Sequence, residues 1–174
     1  MTQQKALRLP VVSGSAEHLV RGFLMRRNVL AYEAPRNNEG YDLIAIHPDP
    51  RHRQRKGRRA QIRIQVKSRY ATDSDRGFPV RESSFGAFDY LVVVFLNIGT
   101  FFDGRDGSTG EAELELYTLP RRFVMKHHQV GKVWQRVRLK NVQKQIEKYR
   151  GAAGIEQIAL ELGVARPTKA KSRK

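Results

Sequence analysis

The chain has 174 residues and no cysteine. That length suits one domain with a real core, and the missing thiols exclude a disulfide framework and thiolate metal sites. With 33 Lys and Arg against 17 Asp and Glu, a formal net charge of +16 and a pI near 10.7, the chain calls for a polyanionic partner. Nucleic acid fits best, because cationic side chains release the counterions condensed on phosphates. A membrane partner is not expected: no apolar run approaches the roughly 18 residues of a span, and no basic amphipathic helix stands out. Residues 1–10 lack the apolar core of a signal peptide. An intracellular, cytoplasmic location is the expectation.

Residues 1–10 read as a loose polar arm. Ser13, Gly14 and Ser15 open a helix expected over 15–27, in which Ala16, Leu19, Val20, Phe23 and Leu24 recur at helical spacing. Val29 to Ala34 reads as a short strand, 35–40 as a turn, and Tyr41 to Ile46 as a second strand. A polar loop follows, with six Lys or Arg between 51 and 59. Gln61 to Lys67 alternates cleanly: Ile62, Ile64 and Val66 point one way, and Arg63, Gln65 and Lys67 the other. Phe85 to Asp89 suits one helical turn, and Tyr90 to Leu96 a strand covered on both faces. The Gly- and Asp-rich stretch 103–110 reads as a hairpin loop, with Glu113 to Tyr117 as the returning strand. Thr118 to His128 suits a helix, Val133 to Leu139 a short strand, and Val142 to Leu162 further helix. Residues 166–174 form a basic tail, expected to be disordered. The order helix, strands, helices argues for an α/β fold with a mixed sheet in a single domain spanning 1–165.

A hairpin between the strands at 41–46 and 61–67 would bring Asp42 near Gln65 and Lys67. An acid, an amide and an ammonium converging at a sheet edge suit phosphodiester hydrolysis. Mg²⁺, or Mn²⁺ in its place, prefers oxygen ligands. Asp42 offers a carboxylate, Gln65 its amide oxygen, Val66 its backbone carbonyl, and Glu17 a further carboxylate from the first helix. Such a metal acidifies bound water and polarises a phosphate, and Lys67 is placed to stabilise the charge that develops.

Glu17 on the first helix, then Gly40-Tyr41-Asp42-Leu43-Ile44-Ala45, then Ile64-Gln65-Val66-Lys67, together resemble the PD-(D/E)XK nuclease superfamily, with Holliday-junction resolvases and small intron-encoded endonucleases the nearest in pattern. The resemblance covers roughly residues 13–96. It implies a restriction-endonuclease-like αβββαβ core, a Mg²⁺ site and DNA cleavage. By position it assigns Asp42 as the metal aspartate, Gln65 to the Asp/Glu position, Lys67 as the lysine and Glu17 as the helix glutamate. Gln65 departs from the pattern, since an amide binds a cation more weakly than a carboxylate does.

The basic residues Arg51, Arg53, Arg55, Lys56, Arg58 and Arg59, with Ser68 and Arg69 beyond Lys67, are the candidate phosphate contacts. The expected function is thus a Mg²⁺-dependent DNA endonuclease. A non-catalytic nucleic-acid-binding module on the same fold is the alternative, and an RNA- or ribosome-associated basic protein a third. Plainer roles stand beside these: Asp42 as a turn-bonding residue, Gln65 and Lys67 as a solvated strand face, and Glu17 as a first-turn acid. Trp134 and Tyr149 suit a core, and His47, His52, His127 and His128 show no metal-ligand spacing. No nucleotide cofactor is expected, because no Gly-rich phosphate loop is present. A homodimer would suit an enzyme that cuts both strands of a symmetric site.

Overall fold

The structure is a computed structural model, and it describes residues 12–35, 38–69, 77–97, 113–131 and 135–164. The arm at 1–10, the loop at 103–110, Trp134 and the tail at 166–174 lie outside the described residues.

The fold is mixed α/β. Helix α1 (Val12–Met25) leads into β1 (Leu30–Glu33), β2 (Leu43–Ile46) and β3 (Gln61–Arg69). After β4 (Phe78–Pro79) and a 3₁₀ turn come β5 (Tyr90–Phe95), β6 (Glu115–Pro120) and α2 (Arg121–His127). β7 (Gln129–Val130), β8 (Gln135–Val137), α3 (Gln143–Ile146) and α4 (Gly151–Leu162) complete it. Five strands form one sheet in the order β1-β2-β3-β5-β6, antiparallel throughout except for the parallel pair β3 and β5. β4, β8 and β7 form a second, small antiparallel sheet.

The strand periodicity of two generates a core on each face of the main sheet. On one face Ile62, Ile64 and Val66 join Val92 and Val94 beneath Ala16, Val20 and Leu24 of α1 and Ile155, Ile158 and Leu162 of α4. On the other, Leu91, Val93 and Phe95 pack with Phe78, Val80, Phe123, Val137 and Ile146. β5 therefore lies buried along its whole length, as its unbroken apolar run implies.

Several boundaries differ from the sequence reading. α1 starts before 15, and ends where Asn28 adopts a left-handed φ of 56°, a conformation asparagine tolerates well. Thr118 and Leu119 are strand, not helix: β6 runs to Pro120, whose fixed φ suits the residue before α2. The expected turn of helix at 85–89 is a 3₁₀ turn slightly earlier, at Glu82–Ser84. Among the described residues, the crossover between the parallel strands β3 and β5 thus holds β4 and a 3₁₀ turn rather than a full helix.

Asp89 ties the start of β5 to β3. Its carboxylate accepts the Arg63 N–H at 2.8 Å and pairs with the Arg59 guanidinium at 2.7 Å. Burial pushes its carboxyl up, but the bonds from Arg63 and Arg59 outweigh this and hold it below the usual aspartate range. A carboxyl with a lowered native pKa contributes stability that is complete above its unfolded pKa and is lost as pH falls through the native value. Asp89→Ala is expected to cost about 2–3 kcal/mol, read as a lower urea midpoint at neutral pH, and to flatten the loss of stability below pH ~4.

Candidate metal and nucleic-acid site

β2 is shorter than β3, and the site forms where β2 runs out. Leu43 is paired with Ile64, so Asp42, one residue earlier, and Gln65, one residue later, stand opposite each other at the end of the ladder. The Asp42 N–H donates to the Ile64 carbonyl at 2.8 Å, and its carbonyl accepts from Ala34 at 2.8 Å. The Asp42 side chain replaces the next ladder bond: Oδ2 accepts the Val66 N–H at 2.6 Å. The turn feeding Asp42 is fixed by Gly40 at φ 92°, where an added Cβ would lie 2.3 Å from that of Ala87, and by Asn38, whose amide donates to the Tyr41 carbonyl at 2.7 Å.

On β3, the Arg63 and Arg69 carbonyls bond to β5-side groups, Asp89 N–H and Leu96 N–H. By alternation the Val66 peptide faces the other way, toward the β2 side, as its bond to Asp42 requires. Gln65 is 8% exposed, and its Oε1 is buried with no hydrogen-bond partner. A buried amide oxygen left unpaired is costly. Gln65 and Lys67 sit beside Leu91 and Val93 of β5, on the face away from α1.

Glu17 approaches from α1 on the other face. Its carboxyl is held above the usual range, first by burial, then by the negative charges of Asp42 and Glu33, while His18 and Lys67 pull it down. Both Asp42 and Lys67 therefore lie close enough to act on it. Glu33 is itself engaged by Arg21 at 2.5 Å, a pairing that the sequence reading did not single out. The Glu17 and Asp42 carboxylates, the Gln65 amide oxygen and the Val66 carbonyl are oxygen donors, the kind a hard cation takes. Among the described residues no cluster of three or more His, Asp or Glu side chains could hold a metal, so a site here depends on the amide and the backbone.

The basic loop divides. Arg51 pairs with Asp49 at 3.3 Å, Arg58 donates to the Leu160 carbonyl, and Arg59 bridges Asp89 and Glu161 at 2.7 and 3.2 Å. Arg58 and Arg59 anchor the loop to the end of α4, whereas Arg51 pairs within the loop itself. Arg53, Arg55 and Lys56 are exposed. Ser68 is half-buried, and Arg69 donates to the Gly77 carbonyl through Nε and Nη2 at 3.1 and 2.6 Å. A cleft of about 420 Å³ at the other end of β3 is lined by Arg59, Asp89, Tyr90, Arg122 and Glu161 among others. Its polar groups largely bond one another, as when the Tyr90 hydroxyl donates to Glu161 at 2.6 Å, so it offers little to a ligand.

No protein-family model and no curated protein matches the chain. Among solved structures it is similar to a bacterial homing endonuclease, I-Ssp6803I, with a TM-score of 0.52 over 90% of this chain and 95% of that one, at 11% identity. The fold is nuclease-like.

Asp42→Asn keeps an acceptor for the Val66 N–H but removes a charge facing Glu17. In an NMR titration the Glu17 midpoint is expected above 4.5 in the wild type, lower in Asp42→Asn and higher in Lys67→Ala. A raised native pKa means that stability is lost as pH rises through it. Glu17→Gln is therefore expected to raise the unfolding midpoint at neutral pH without divalent cations, and to give no gain below the pKa of an unfolded glutamate, about 4.3.

Proposed function

We propose that the chain is a Mg²⁺-dependent DNA endonuclease of the PD-(D/E)XK kind, hydrolysing phosphodiester bonds. The observation that carries this reading is the buried, unpartnered Gln65 Oε1 beside a carboxylate locked onto the Val66 N–H. The net charge of +16 supports DNA as the partner, as does the likeness to a homing endonuclease.

Asp42 and Glu17 would hold the cation through carboxylates, Gln65 through its amide oxygen and Val66 through its carbonyl. A bound divalent cation supplies an acidified water and a polarised phosphate. The chain's own contributions are distinct. The Val66 N–H orients the Asp42 carboxylate before any ligand arrives, which avoids reorganisation at the moment of reaction. The Lys67 ammonium neutralises charge developing on the phosphate oxygens as water attacks phosphorus. Arg53, Arg55 and Lys56 give the duplex backbone cationic partners.

A binding-only role is favoured by one feature: glutamine stands where an acid is usual, leaving two carboxylates for the cation. Gln65→Glu separates the two readings, because restoring the acid should tighten Mg²⁺ binding if the cation sits there. Incubated with plasmid in Mg²⁺, the wild type is expected to nick or linearise DNA. Lys67→Ala and Asp42→Asn are each expected to lose at least about 100-fold in rate. Cleavage that persists in both variants refutes the assignment.

A further inference from the structure

The small sheet β4-β8-β7 has two unlike faces. Phe78 and its partner Val137 are fully buried against the main sheet. Alternation sends the next row outward: Pro79, Arg136 and Gln129 lie side by side across the three strands. Gln129 is exposed and Arg136 half-exposed, and the side chains of both are without a hydrogen-bond or ion-pair partner among the described residues. Over 77–81, 129–131 and 135–140 the described chain carries Arg81, Arg136, Arg138 and Lys140 and no acid. The surface is thus predominantly cationic, with exposed Glu82 at its edge as the nearby acid.

The sheet is also locked to the candidate site. Arg69, two residues past Lys67, grips the Gly77 carbonyl with two donors, and Gly77 opens β4. Gly77 adopts φ 147° and lies flat on β8, where an added Cβ would come within 2.4 Å of the Val137 carbonyl. The Glu82 N–H adds a bond to Gln135 Oε1 at 2.7 Å. A platform held this firmly keeps a set distance from Lys67.

Resting on the reading of the chain as a DNA-cutting enzyme, we infer that this outward face enters the DNA major groove and reads base sequence, with Arg136 and Gln129 as the discriminating side chains. The antiparallel β7–β8 pair is a two-stranded ribbon, which a groove about 12 Å wide admits, and arginine and glutamine are the side chains that bond bidentately to guanine and adenine edges. The flanking Arg81, Arg138 and Lys140 supply phosphate contacts that fix register without reading sequence.

The test is selection of bound duplexes from a randomised pool by the full chain without divalent cations, so that binding is scored independently of cleavage. The wild type is expected to enrich a defined motif. Arg136→Ala is expected to lose discrimination at one base pair, and Gln129→Ala at a neighbouring one, each by about tenfold or more. Arg136→Lys keeps the charge and is expected to lose the same preference. Circular dichroism and unfolding midpoints matching the wild type show that these surface variants are folded. The inference is overturned if the wild type enriches no motif, if both variants keep the wild-type preference, or if Arg136→Ala weakens all sequences equally with a shallower salt dependence, the mark of a phosphate contact. A motif selected normally by a protein that never cuts DNA would refute the nuclease reading and leave base reading standing.

Discussion

The bond from the Val66 N–H to the Asp42 carboxylate, 2.6 Å long, is the constraint on which the candidate site depends. β3 needs a partner for that N–H on its β2 side, and β2 has already ended at Leu43. Asp42 supplies the missing acceptor from its side chain. One carboxylate thereby closes the ladder and is pinned beside Gln65. The Asp42 carbonyl is not available for this, because it accepts from Ala34 on the β1 side.

Around this point the energetics point one way. Burial and the charge of Asp42 both disfavour ionised Glu17, and Lys67 relieves this in part. Gln65 buries an amide oxygen without a bond. Each is a local cost that a well-packed sheet such as this, with two apolar cores, can carry. Strain and unsatisfied groups of this kind concentrate where a protein meets a ligand. Three residues back along β3, on its β5 side, Asp89 performs the same structural service for the Arg63 N–H but is fully matched by arginines. The two strand-end aspartates thus differ: Asp89 is matched by arginines, whereas Asp42 stands beside a carboxylate that it repels.

Much of this was legible in the sequence. The alternation of Gln61 to Lys67 placed β3 and its two faces, and the apolar run at 90–96 marked the central strand. What escaped were features set by tertiary partners. Nothing local shows that Arg58 and Arg59 belong to α4 and Asp89 rather than to a phosphate, because the partners lie far away in sequence. The strand at 118–120 was hidden because Thr-Leu-Pro also suits a helix start. The small sheet eluded the reading because β4 and β7 have two residues each, too few for a period to appear. That Asp42 stands opposite Gln65 was legible from order and spacing, whereas the missing partner of Gln65 Oε1 was visible in three dimensions alone.

A cation site at Asp42 and Gln65 is tested most directly by a crystal structure of the protein soaked in Mn²⁺, located by its anomalous signal. One ion is expected, ligated by the Asp42 carboxylate and Gln65 Oε1 at roughly 2.0–2.4 Å, with Glu17 and the Val66 carbonyl in its shell. Manganese bound elsewhere, with Gln65 Oε1 still unligated, would contradict it.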